Sequence, residues 1–146
     1  MVPAFDADGN LPPGIHACSW NELVARFGGD PYRRPLLQGL KAALLALRIA
    51  GAGSAYIDGS FVTAKARPGD FDACWDAAGV NPALLDPVLL QFDNQRAAQK
   101  IKYGGELFPA NFKATPAGTR FIDFFQIDKD SGSPKGILAI DLGTLP

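Results

Sequence analysis

A chain of 146 residues fits one domain and can bury a real core, and its 47% hydrophobic fraction argues against global disorder. The formal net charge of −1 excludes a strong bulk field toward nucleic acid. Two cysteines and a single histidine supply too few ligands for a zinc site, no apolar run reaches membrane-spanning length, and no signal peptide is visible, so a soluble cytoplasmic protein is expected.

Residues 1–18 carry Pro3, Gly9, Pro12, Pro13 and Gly14, which predict an extended amino-terminal arm; residues 19–146 are expected to form a single domain. Ser19-Trp-Asn-Glu22 has the spacing of a capping box and predicts a short helix from about Trp20 to Phe27, ended by Gly28-Gly29-Asp30-Pro31. From about Arg33 to Ala50 the apolar positions Leu36, Leu37, Leu40, Leu44 and Leu47 repeat at helical spacing, with Lys41 and Arg48 off the stripe. Arg33 and Arg34, unfavourable for the dipole at a helix start, read as solvated groups or as contacts to an acidic partner. Strands follow at about Ser54–Ile57 and Phe71–Trp75. Two short helical pieces break at Pro87.

Asp93 is read as the cap of a helix running to about Lys102, with Arg96 and Lys100 on its surface. Arg96, Lys100, Lys102, Lys113 and Arg120 lie in a stretch with few acids, read as a solvated helix face or a local basic patch. Glu106 to Ala110 reads as a third strand, Thr119 to Gln126 as helix in preference to strand, Asp128 to Pro134 as a loop and Gly136 to Leu142 as a last strand. The fold class predicted is α/β (α+β), a small mixed sheet flanked by helices. Trp20 and Trp75 are read as core anchors, His16 as a surface or packing residue, and the phenylalanines between 121 and 125 as core in preference to base stacking.

Chemistry concentrates between positions 58 and 72. Ala55-Tyr56-Ile57 runs into Asp58-Gly59-Ser60, a strand breaking into a Gly-Ser loop whose free N–H groups suit a phosphate. Asp70 and Asp72 stand at i and i+2 in an extended segment and so share a face. Two adjacent carboxylates repel unless a cation lies between them, and Mg²⁺ suits carboxylates combined with substrate phosphates. Lys65 and Arg67, in the spacer, either neutralise phosphate oxygens or belong to a solvated loop.

The run from Gly59-Ser60 through a nine-residue spacer to Asp70-Phe71-Asp72 resembles the signature of the polymerase-β-type nucleotidyltransferase superfamily, closest to its minimal single-domain members. Leu11-Pro-Pro-Gly-Ile-His16, Phe124-Phe-Gln-Ile-Asp128 and Pro134-Lys-Gly-Ile137 are similar to a narrower, uncharacterised bacterial family of such proteins. The resemblance implies that superfamily's fold and a two-metal Mg²⁺ site on Asp70 and Asp72. Gly59 and Ser60 would hold the phosphates of an NTP. A third carboxylate is also implied, with Glu106 the first candidate and Asp141 the second. The acceptor implied is a protein or a tRNA end. The context implied is a toxin–antitoxin or phage-defence system with a partner protein and no membrane. A nucleotide- or partner-binding module lacking catalysis is the alternative.

Overall fold

The computed structural model describes residues 1–146. Its elements in chain order are β1 (Gly14–Ala17), α1 (Trp20–Phe27), α2 (Arg34–Ile49), β2 (Ser54–Asp58), β3 (Phe71–Trp75), α3 (Asp93–Tyr103), β4 (Gly105–Pro109), α4 (Phe121–Phe124) and β5 (Gly136–Asp141). The strands form one mixed sheet in the order β1-β5-β2-β3-β4. β1 runs parallel to β5 and β3 parallel to β4, while β2 is antiparallel to both of its neighbours. This is the mixed, helix-flanked sheet expected of the chain. No helix is long and apolar enough to cross a membrane.

Local chemistry explains the helices. Ser19 accepts from the Glu22 N–H and Glu22 accepts from the Ser19 N–H, each at 3.1 Å, so the capping box starts α1 as predicted. The Leu36, Leu37, Leu40, Leu44 and Leu47 stripe of α2 is buried throughout. It packs on one face of the sheet with Ala55, Ile57, Phe71, Ala73, Leu107, Leu138 and Ile140. Strand alternation sends the intervening side chains to the other face. There Cys74, Phe108, Ile137 and Phe125 form a smaller core, with Tyr56, Phe92, Phe121 and Ile122 packed against it. α4, a single turn, brings its phenylalanines to that second face.

Two expectations need correction. The arm does not stay outside the sheet: Gly14–Ala17 pairs with Gly136–Ala139, and Leu11 is buried. The prolines and glycine before it signal extension, but only the partner strand decides whether an extended segment joins a sheet. Asp93 is not a cap, since Phe92 occupies the cap position and no side chain closes it. Instead Asn94, Gln95 and Arg96 have φ of 50°, 55° and 60°, three consecutive left-handed residues without a glycine among them.

α2 crosses the end of α3 at Gly39, where an added Cβ would overlap the carbonyl of Tyr103. Gly39→Ala is therefore expected to lower stability by about 1–3 kcal/mol through overpacking, although alanine is the better helix former by about 0.5–1 kcal/mol. A thermal melt that rises on this substitution contradicts the contact.

Candidate functional site

Sheet register assembles the acids. β2 and β3 pair Asp58 with Asp72, and β3 and β4 pair Asp72 with Glu106. Residues in register on neighbouring strands share a face, so Asp58, Asp72 and Glu106 form a row across three strands. Asp70, two residues before Asp72, joins them. Ligand oxygens of Asp70, Asp72 and Glu106 all lie within 4.8 Å of one another, and the three residues can hold a metal ion. They lie on the second face of the sheet, away from α2. Asp141 sits in register with Ser54, at the opposite end of β2 from Asp58, and caps Gly143. Of the two candidates for the third carboxylate, only Glu106 stands with the pair.

The Gly59-Ser60 turn is close by. Gly59 has φ 86° and ψ −179°, a conformation open only to glycine, and an added Cβ would stand 3.0 Å from Asp72 Oδ2. Ser60 to Val62 then makes one turn of 3₁₀ helix, tied by the Thr63 hydroxyl donating to the Ser60 carbonyl at 2.7 Å.

A cavity of about 460 Å³ opens over Asp70 and Asp72. Gly59, Ser60, Thr63 and Lys65 line it, together with Phe124, Phe125, Ile127, Lys129 and Lys135. Lys65 is thus at the cavity. Arg67 is not: its guanidinium lies over the Tyr32 ring, 4.6 Å from the centroid, in a separate surface pocket, so neither a phosphate role nor a pair with Asp72 fits it. The spacer turns between the two residues, and side-chain direction there depends on a backbone path that spacing does not encode.

The acids are close enough to disturb one another. Burial, then the charges of Asp70, Asp58 and Glu106, push Asp72 up from 3.8 to about 7. Burial and Glu106 also raise Asp70, against the pull of Lys100, Lys129 and Lys65. Asp58 has a cation of its own, because Lys135 donates to its Oδ1 at 2.7 Å. Burial still holds the Asp58 carboxyl above its usual range. Glu106 is engaged as well, with Arg96 Nε at 3.1 Å from Oε2 and Lys100 Nζ at 3.2 Å from Oε1.

Within the basic stretch between 96 and 120, Lys102, Lys113 and Arg120 are exposed, as a solvated face requires, while Arg96 and Lys100 are half-buried and engaged. Arg96 and Lys100 hold Glu106, and Lys102 holds Asp86 at 2.6 Å. Arg33 is not a surface group but a buried one.

Asp58, which directly precedes the loop, is expected from the sequence to cap the turn or pair with a nearby cation; Lys135 is that cation, and neither it nor Lys129 is singled out by the sequence. Lys135 falls in the Pro-Lys-Gly-Ile stretch and Asp128 in Phe-Phe-Gln-Ile-Asp, so both motifs reach the cavity rim. Asn10, just before the Leu-Pro-Pro-Gly stretch, donates to Asp128 at 2.9 Å and joins the arm to that rim.

No curated protein and no solved structure matches the chain. One family model does, over residues 3–141, a span that includes all five strands and every residue around the cavity. On that match the chain belongs to a family of unknown function, DUF6932.

Proposed function

We propose that this protein is a Mg²⁺-dependent nucleotidyltransferase that moves a nucleoside monophosphate from an NTP to a hydroxyl on a protein or RNA acceptor. The observation that carries this reading is the clustering of Asp70, Asp72 and Glu106 within 4.8 Å, beside the Gly59-Ser60 turn and under a cavity with lysines on its walls. Charge chemistry makes the cluster fit a cation: an acid group pushed to about 7 by burial and by neighbouring carboxylates ionises more readily beside a divalent ion.

Asp70 and Asp72 are the residues that would hold the metal. When bound, divalent cations stabilise charge on the entering and leaving oxygens of an in-line displacement. Ser60, Thr63 and Lys65 line the wall suited to the β- and γ-phosphates, where N–H groups at the start of a helical turn lack partners within it. Lys129 adds positive charge to the cavity lining, while Lys135 offsets Asp58. Phe124 and Ile127 present apolar surface to a base or an acceptor. The acceptor oxygen bonds to the α-phosphorus as the bond to the bridging oxygen breaks. Pyrophosphate leaves, and Glu106, once released from Arg96 and Lys100, would receive the hydroxyl proton. A setting in a toxin–antitoxin or phage-defence system, with a partner protein, belongs to the same proposal.

A nucleotide-binding module without catalysis is the second reading, and the two cations on Glu106 favour it. Incubation with each labelled NTP, Mg²⁺ or Mn²⁺ and a cell lysate separates the two. Transfer of label to a protein or RNA is the expected result. Nucleotide binding that is lost in EDTA, with no label transferred, supports the module. Equal affinity for NTP in Mg²⁺ and in EDTA overturns the metal site in both readings.

A further inference from the structure

We infer that Arg33 is a positioning residue that holds the Ser60–Ala66 loop in its polyphosphate-binding form; the inference rests on the nucleotidyltransferase reading. Arg33 does not line the cavity. It reaches the loop from behind, out of the start of α2, and is only 7% exposed. Its guanidinium donates to three alternate carbonyls of one loop: Phe61, Thr63 at 3.1 Å and Lys65 at 2.6 Å. The rings of Phe27 and Phe61 hold the guanidinium, each with its centroid 5.4 Å away. No carboxylate lies within ion-pairing distance of it, so carbonyls alone take up its donors.

The geometry has an electrostatic consequence. Carbonyl oxygens carry partial negative charge and repel phosphate. Arg33 turns those of residues 61, 63 and 65 away from the cavity that Ser60, Thr63 and Lys65 line. A planar fork of five donors can bind three carbonyls at once; an ammonium on a flexible stem meets them less well. The loop is pinned at a further point by the Ala64 N–H donating to the Gly9 carbonyl at 2.9 Å. It is thus organised before a ligand arrives, which removes an ordering cost from binding.

The test uses Arg33→Lys and Arg33→Met, with folding checked by circular dichroism. Methionine keeps an unbranched apolar stem between the two rings, so it serves where lysine fails to fold. Three quantities are measured in wild type and variant: affinity for Mn²⁺ alone, affinity for a non-hydrolysable NTP analogue with Mg²⁺, and amide exchange of residues 60–66. Mn²⁺ affinity is expected to stay within about twofold, analogue affinity to fall about tenfold or more, and exchange across the loop to rise. In the transfer reaction the KM for NTP should rise while kcat holds, with Lys the milder variant. Unchanged analogue affinity in a folded variant overturns the inference, as does an equal fall in Mn²⁺ and analogue affinity. Wild-type protein that binds no nucleotide with Mg²⁺ removes the nucleotidyltransferase reading instead, and this inference with it.

Discussion

Asp72→Asn is expected to reduce nucleotidyl transfer by about 10²–10³-fold or more while leaving the fold intact. Asn keeps the shape of Asp and removes the charge that would hold the metal. The substitution also carries a second signature. Burial, and then the charges of Asp70, Asp58 and Glu106 around it, raise the Asp72 carboxyl to about 7. Removing its charge relieves that repulsion. The metal-free variant should therefore melt above wild type at pH 8, so that activity falls as stability rises. Glu106→Gln is the companion: severe loss of transfer if Glu106 takes the proton, little change if it serves only to pair with Arg96 and Lys100. An Asp72→Asn protein that transfers label normally removes the proposed mechanism, and one that melts lower than wild type in EDTA at pH 8 contradicts the repulsion.

The metal-free protein is expected to grow less stable between pH 5.5 and pH 8. Between its ordinary value of 3.8 and about 7, Asp72 keeps a proton in the folded chain that the unfolded chain has released. Its contribution is fully present below the lower value and is lost as pH rises through the upper one. The whole effect amounts to about 4 kcal/mol, of which about 2 kcal/mol falls between pH 5.5 and pH 8. Asp70 and Asp58 shift in the same direction. Glu22, Asp86 and Asp128 shift the other way, so their contributions are lost at lower pH. Mg²⁺ must find deprotonated ligands, so it should raise the melting temperature strongly at pH 8 and little at pH 5.5. Melts in EDTA and in Mg²⁺ across this range check both slopes. A metal-free stability that rises toward pH 8, or a Mg²⁺ effect equal at both ends, contradicts the electrostatic description of the cluster.

Legibility in the sequence followed the range of the interactions. α1 begins and ends where its capping box and Gly28 place it, because these signals lie within a few residues, and β3 spans the residues expected of it. Asp70, Asp72, Gly59 and Ser60 were readable for the same reason: a short connection between paired strands returns the chain to its starting point. Glu106 needed the β3–β4 register, which a parallel pair separated by α3 does not announce; it stood in the sequence only as the first of two candidates. Lys135 meets Asp58 across a sequence separation of 77 residues, and no local pattern records that. Arg33 was misread because an arginine at a helix start is most often exposed, and only the packing of Phe27 and Phe61 around it shows otherwise. Arg67 had the right neighbours in sequence and the wrong ones in space.

The left-handed run Asn94–Arg96 has a thermodynamic consequence for Glu106. Left-handed conformations of residues with a Cβ cost about 1–2 kcal/mol each, so this turn is maintained against its own preference. Part of what maintains it is the grip of Arg96 on Glu106. Handedness of the turn and availability of the carboxylate are therefore linked functions. A cation that draws Glu106 away weakens the support of the left-handed form, and a contact that rewinds the turn frees Glu106 for a cation. By reciprocity, whatever factor one exerts on the other is returned in equal measure.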